Sequence, residues 1–152
     1  MPLFVQLPLL LLVFAFGICA LGTAVMPAAV FFLWVLEQTQ GWGAWSRAWV
    51  VGTGAVASYV IFGFALMAVA ILITRALPRL KPGEYSFISP QGVQWFFTGV
   101  LSFLVSKFFL DFLLLTWVNV FYFRLMGAKI GKGAQINTKN ISDFHLITIG
   151  EG

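Results

Sequence analysis

The groups that could do chemistry in this chain are few and lie in its C-terminal part. His145 is the only histidine, and a neutral imidazole near pH 7 can act as a general base. The alternative is a histidine at a turn or on the surface without a catalytic role. Lys107 and Asp111 stand four residues apart in an apolar stretch and are therefore predicted to share one helical face. Such a pair either neutralises its own charges or takes part in transport. Asp143 and Glu151 are best interpreted as solvated surface charge.

Other kinds of site are excluded by residue counts and spacing. Cys19 is the only cysteine, so the chain forms no internal disulfide and no multi-cysteine metal site. One histidine likewise excludes a metal site with several histidine ligands. The run Gly131-Lys132-Gly133 lacks the upstream glycine and the Lys-Ser/Thr ending of a phosphate-binding loop, and we interpret it as a tight corner of a β-helix. The sequence therefore predicts no metal or cofactor site in this chain, and His145 is the only weak catalytic candidate.

The composition is that of a membrane protein. The 152 residues are 61% hydrophobic and only 9% charged, whereas soluble domains are roughly 45–50% apolar and about 25% charged. The net charge of +4 comes from lysines and arginines that flank apolar stretches, where they set topology and contact anionic lipid. They form no basic and aromatic patch, so no nucleic-acid partner is predicted. The predicted partner is the lipid bilayer.

Residues 1–77 are predicted to form a transmembrane helical hairpin. Leu7 to Leu36 contains no charge and exceeds the roughly 20 apolar residues that cross a bilayer, with Pro27 as a candidate kink. It has no basic N-terminal flank and is too long for a signal peptide, so it is interpreted as a retained span. Glu37 to Trp49 forms a tryptophan-rich turn at one membrane face, and Trp49 to Leu77 returns. Small residues at helical spacing predict the seam between the helices: Ala20, Ala24, Ala28, Gly54 and Ser58.

Residues 78–94 are predicted to be a cytoplasmic linker. Arg75, Arg79 and Lys81 place this connection on the cytoplasmic side by the positive-inside rule. Its prolines exclude a continuous helix. The N-terminus is then cytoplasmic too, and the chain is predicted to be a multi-pass protein of the cell's inner (plasma) membrane with a cytoplasmic C-terminus.

Residues 95–123 form a third apolar segment, for which two placements stay open. Ser89 and Pro90 suit the cap and first turn of its helix. Both flanks are basic, and Lys107 and Asp111 make a full crossing costly. We therefore favour a helix, or broken helices, lying on or dipping into the cytoplasmic leaflet. A third full span is the alternative.

Residues 124–152 have a different pattern. Ile130 and Ile136 are six residues apart, as are Ile141 and Ile147, and glycines between them oppose a helix. A six-residue apolar step is typical of a hexapeptide-repeat β-helix, in which about three hexads make one coil. The segment holds about one coil. Ordinary strands are the alternative.

The sequence from Leu77 onwards resembles a known family. KPGEY at Lys81 to Tyr85, the apolar helix from Trp95 and the block RLMGAKIGK from Arg124 to Lys132 are similar to membrane-anchored hexapeptide-repeat proteins of the left-handed β-helix class. In particular, this part of the chain resembles the C-terminal membrane region of certain peptide synthetase-like enzymes, the poly-lysine synthetase group among them. The resemblance implies an acyltransferase-like fold, a histidine as general base and an acyl-CoA or carrier-bound thioester as donor in the full-length relative. Members of the family carry further coils, so an incomplete domain, and hence a fragment of a longer protein, is expected.

The resemblance predicts the membrane-anchored part of an acyltransferase-like or peptide synthetase-associated domain, held at the cytoplasmic face and without catalysis of its own. Further β-helix coils or a partner subunit would then stack on the tail. One alternative is a small non-enzymatic anchor or assembly protein whose tail adds strands to a partner. Another is a piece of a three-span transporter, with Lys107 and Asp111 facing a pore.

Overall fold

The chain is mainly helical, with a small β-structured tail. The computed structural model describes residues 3–78, 80, 83–86, 89–138, 141 and 143–151, and for residues 3–6 and His145 only the backbone. Arg79, Lys81 and Lys139, on which part of the predicted charge pattern rests, lie outside this set. The elements are α1 (Leu3–Gln38), α2 (Ala44–Ala76), α3 (Pro90–Phe108), a 3₁₀ turn (Leu110–Phe112), α4 (Trp117–Met126), β1 (Lys129–Ile130), a second 3₁₀ turn (Phe144–Leu146) and β2 (Thr148–Ile149).

Helices α1 and α2 form the predicted hairpin. Within the described residues, Leu7–Gln38 and Ala44–Ala76 are the two helices long and apolar enough to cross a membrane. Helix α1 continues through Pro27. At the turn the hydroxyl of Thr39 donates to the Val35 carbonyl at 2.9 Å, and Gly41 adopts a φ of +82°, in the left-handed region that favours glycine. The tryptophans beside this turn are exposed, as the sequence predicts for a membrane–water boundary: Trp34, Trp42, Trp45 and Trp49.

The small residues form the seam between the two helices. Ala20, Ala24 and Ala28 are buried, as are Gly54 and Ser58 on α2. A Cβ atom at Gly54 would lie 2.8 Å from a Val35 methyl carbon, closer than two carbons pack. The predicted close approach is therefore confirmed.

The third apolar segment is two helices and not one. Helix α3 begins at Pro90, inside the segment predicted to be linker, and Ser89 caps it as predicted by accepting a hydrogen bond from the Gly92 amide at 3.0 Å. It ends at Phe108, and Leu115 adopts a φ of +63° before α4 begins. Broken helices, one of the forms predicted, are what the chain forms.

Helix α3 runs along the hairpin from the end of α2 towards its middle, and α4 runs back towards the end of α2. Gln94, near the start of α3, donates to the Pro78 carbonyl at 2.6 Å, beyond the end of α2. The end of α3 reaches Gly63, where a Cβ atom would lie 2.0 Å from the Phe109 ring. Gly63 is about 18 Å along α2 from Arg75, at 1.5 Å per residue. Helix α4 comes back, because the Arg75 side chain donates to the Leu125 carbonyl at 3.0 Å.

The tail contains one short parallel pair of strands. Lys129 pairs with Thr148, and Ile130 with Ile149, nineteen positions later in the chain. Two strands of two residues are the β-structure of the described part of the chain. A complete β-helix coil therefore stays a prediction.

We expect Gly63→Ala to displace Phe109 and destabilise the fold by about 1–3 kcal/mol, because the new methyl group overpacks a filled site. The measurement is thermal unfolding of the purified chain in detergent. Gly52→Ala is the matched control: Gly52 is a helical glycine of α2 with nothing within 4 Å of its Cβ position. It should be neutral, or stabilising by roughly 0.5–1 kcal/mol. Equal unfolding temperatures for the two variants would contradict the contact, and Phe109→Ala should rescue Gly63→Ala.

Candidate functional site

The predicted catalytic candidate lies in the turn that precedes β2. The backbone of His145 is in the 3₁₀ turn Phe144–Leu146, while its side chain lies outside the described part. Phe144 is buried and Leu146 is exposed. The described residues contain no group of three histidine, cysteine or acidic side chains that could hold a metal ion. A catalytic role for His145 thus stays an untested prediction.

Asp143 has a structural partner. Its carboxylate accepts a hydrogen bond from the indole N–H of Trp95 at 2.7 Å. Asp143 also adopts a left-handed backbone conformation with a φ of +55°. Asp143 is exposed, and this bond connects the tail to α3.

The prediction that Lys107 and Asp111 share one helical face is wrong. Helix α3 ends at Phe108, so Asp111 lies in the 3₁₀ turn that follows. The Lys107 ammonium lies 5.7 Å from the centre of the Phe103 ring, a distance at which a cation is attracted to the ring face. Both charged side chains are exposed. The helix ends early because Phe109 and Leu110 turn inwards to buried positions.

The glycines of the tail have backbone roles. A Cβ atom at Gly131 would lie 2.6 Å from the backbone of Gly150 and Glu151, so only glycine allows the two passes of the chain to come this close. Gly133 has a φ of +77° and completes a turn after β1. The run is a tight turn, while its assignment as a corner of a β-helix stays a prediction.

Three side chains of α4 hold the tail. Asn119 is fully buried, and its amide donates to the Ile136 carbonyl at 3.0 Å. The Phe123 ring stacks on Phe144, with ring centres 5.8 Å apart. Arg124 donates through Nε to the Ile130 carbonyl at 3.1 Å and through Nη2 to the Gly131 carbonyl at 2.6 Å. The tail core is therefore continuous with the helical core.

Arg124 binds the edge of β1 that faces away from β2. Lys129 and Gly131 donate to the Ile147 and Ile149 carbonyls of β2. In a parallel ladder the intervening residue of each strand points away from its partner. On β1 that residue is Ile130, whose carbonyl is bound by Arg124; on β2 it is Thr148, which is exposed.

Buried polar groups lie in the same region. The Tyr122 hydroxyl, Thr74 Oγ1 and Asn119 Oδ1 are buried without a hydrogen-bond partner among the described residues.

A groove runs along the outer face of α4. It has a volume of about 330 Å³, and one wall is α4 with the residues before it, while the other is the loop that follows β1. Its lining residues are Leu115, Thr116, Trp117, Val120, Phe121, Arg124, Gly133, Ala134 and Gln135. Sequence reasoning did not identify this groove, because its two walls lie apart in the chain.

Asn119 and Trp95 were also missed as contacts that hold the tail. The available signal for Asn119 was a single amide side chain within an apolar helix, which must find a partner when it is buried. The partner, a carbonyl seventeen residues later, is visible only in the folded chain.

The chain matches no protein-family model, no curated protein and no solved structure. Functional inference therefore depends on the geometry described above.

We expect Asn119→Leu to loosen the tail, because the Ile136 carbonyl loses its buried donor at a cost of about 1–3 kcal/mol. Amide hydrogen exchange should accelerate in residues 128–138 and stay unchanged in α1 and α2. Asn137→Leu is the control, since Asn137 is the exposed neighbour of Ile136. Identical exchange in both variants would show that the Asn119 bond does not hold the tail.

Proposed function

We propose that the chain is an integral membrane protein whose helices hold the start of a hexapeptide-repeat β-helix at the cytoplasmic face. It would be the membrane-anchored part of an acyltransferase-like or peptide synthetase-associated domain. The observation that carries the proposal is the junction between α4 and the tail, where Asn119, Phe123 and Arg124 each bind or pack on tail residues. A tail held in this way has a fixed position and orientation relative to the hairpin.

The β-helix part of the proposal is supported by the strand pairing. Ile130 and Ile149 are in register and nineteen positions apart, close to the roughly eighteen residues of a three-hexad coil. Ile136 is buried, and Ile130, Ile141 and Ile147 pack against the same core, so the residues of the six-residue step point inwards. Helix α4 would cover the first coil as terminal caps do in solenoids.

The membrane placement is supported by the distribution of charge and aromatic residues. Exposed tryptophans surround the α1–α2 turn, and basic residues, Arg75 and Arg124 among them, lie at the other end of the hairpin. Cations prefer the cytoplasmic side. In this placement α3 and α4 form a re-entrant pair, and the Tyr59 hydroxyl of α2 donates to the Phe108 carbonyl at the end of α3. The break also disfavours a three-span transporter.

Catalysis would belong to the full-length relative. An acyl-CoA or carrier-bound thioester would bind to later coils or a partner subunit. The chain itself would supply placement.

A second candidate function, a non-enzymatic assembly protein, is favoured by the exposed edge of β2. Thr148 directs its backbone amide and carbonyl away from β1, and an exposed strand edge accepts another strand. The two functions differ in what covers this edge: a further coil of the same polypeptide, or a strand from a separate protein.

We expect the two ends of the hairpin to lie on opposite sides of the membrane. In a Cys19→Ala background, the cysteine that Ser46→Cys introduces should react with an impermeant maleimide added outside intact cells. The cysteine that Lys132→Cys introduces should react with the same maleimide only in inverted membrane vesicles. Both replaced side chains are exposed, so access depends on the membrane alone. Labelling of both cysteines from one side would refute the proposed topology.

A further inference from the structure

The groove on α4 has the volume of a small ligand site and is open to the surroundings of the chain. Its volume of about 330 Å³ lies at the lower end of the range of roughly 300–1,000 Å³ for small-molecule pockets. Trp117 and Phe121 are 77% and 51% exposed, so large aromatic surfaces face the groove without being covered by the protein. In the proposed membrane placement this uncovered aromatic surface is available to the hydrocarbon chains of lipids.

The chemistry of the groove changes along its length. Leu115 and Trp117 line one end, while Arg124 lines the other. The helical rise places Arg124 about 10 Å from Trp117 along the axis. The two hydrogen bonds of Arg124 to the tail go to neutral carbonyls, so they do not neutralise its positive charge. The groove therefore suits a ligand with an apolar chain and an anionic head.

The orientation of the groove matches that of a lipid. Its cationic end lies beside Leu125, whose carbonyl is bound by Arg75 at the end of α2. Its apolar end lies towards the turn after Phe109, which packs on Gly63 in the middle of α2. In the proposed topology the cationic end is at the cytoplasmic headgroup level, and the apolar end points to the bilayer centre.

We propose that this groove binds one acyl chain of an anionic phospholipid of the inner leaflet, with the headgroup phosphate at Arg124. The tail carbonyls take Nε and one hydrogen of Nη2, so Nη1 and the second hydrogen of Nη2 are left to donate to phosphate oxygens. The inference rests on the proposed membrane placement. The bound lipid fills the space between α4 and the loop Gly133–Gln135, and so joins the tail to the leaflet.

The test is native mass spectrometry of the purified full chain in detergent, titrated with dioleoyl phosphatidylglycerol or dioleoyl phosphatidylcholine. One phosphatidylglycerol should bind more tightly than phosphatidylcholine, and inorganic phosphate should not displace it. Trp117→Ala should weaken this binding about tenfold, because a large aromatic wall is lost. Trp45→Ala is the matched control, since Trp45 is 85% exposed at the opposite end of the hairpin, and it should bind as the original chain does.

Arg124→Gln tests the headgroup contact separately. It should lower phosphatidylglycerol binding to the level of phosphatidylcholine. Circular dichroism checks that Arg124→Gln keeps the fold. Phe121→Ala removes a second exposed groove wall without touching the tail, so its effect on lipid binding does not arise from a change in the tail. Equal binding by Trp117→Ala and Trp45→Ala, or no preference for phosphatidylglycerol, would overturn the proposal. Failure of the chain to insert into phosphatidylglycerol vesicles would instead overturn the membrane placement.

Discussion

The contact between Phe109 and Gly63 determines how the rest of the chain is arranged. A ring that takes the place of a side chain on α2 fixes how far α3 extends along the hairpin. Tyr59 and Phe64 surround the same ring, and the Tyr59 hydroxyl donates to the Phe108 carbonyl, which is the last of α3. Once α3 stops there, the chain must reverse, and the position of α4 follows.

The return through α4 makes the tail part of the helical body. The tail packs its isoleucines and Phe144 on the same buried cluster that includes Leu66 and Ala70 of α2. A flexible tether would need no such core. An anchor whose purpose is to orient a soluble domain does need one, because a shared core transmits the position of the spans to the first strand. The same arrangement creates the groove, since the loop after β1 lies beside the outer face of α4.

Local physics explains what could be predicted. The hairpin follows from uninterrupted apolar runs, its seam from small residues every fourth position, and the start of α3 from a serine followed by proline. Each of these signals acts within a few residues along the chain. The break after Phe108 has no such signal, because no glycine or proline occurs between Phe109 and Thr116. The prediction that Lys107 and Asp111 share one helical face was consequently wrong.

The sequence by itself determined an apolar two-helix hairpin, its tryptophan-rich turn, the capped start of α3 and a tail unsuited to helix. Only the tertiary structure decided where α3 stops, which buried amide and arginine hold the tail, and where a groove forms between α4 and the loop after β1. The reason is physical: helix length and caps depend on neighbouring residues, whereas the burial of Phe109 and the partners of Asn119 and Arg124 depend on surfaces that meet only when distant segments pack together.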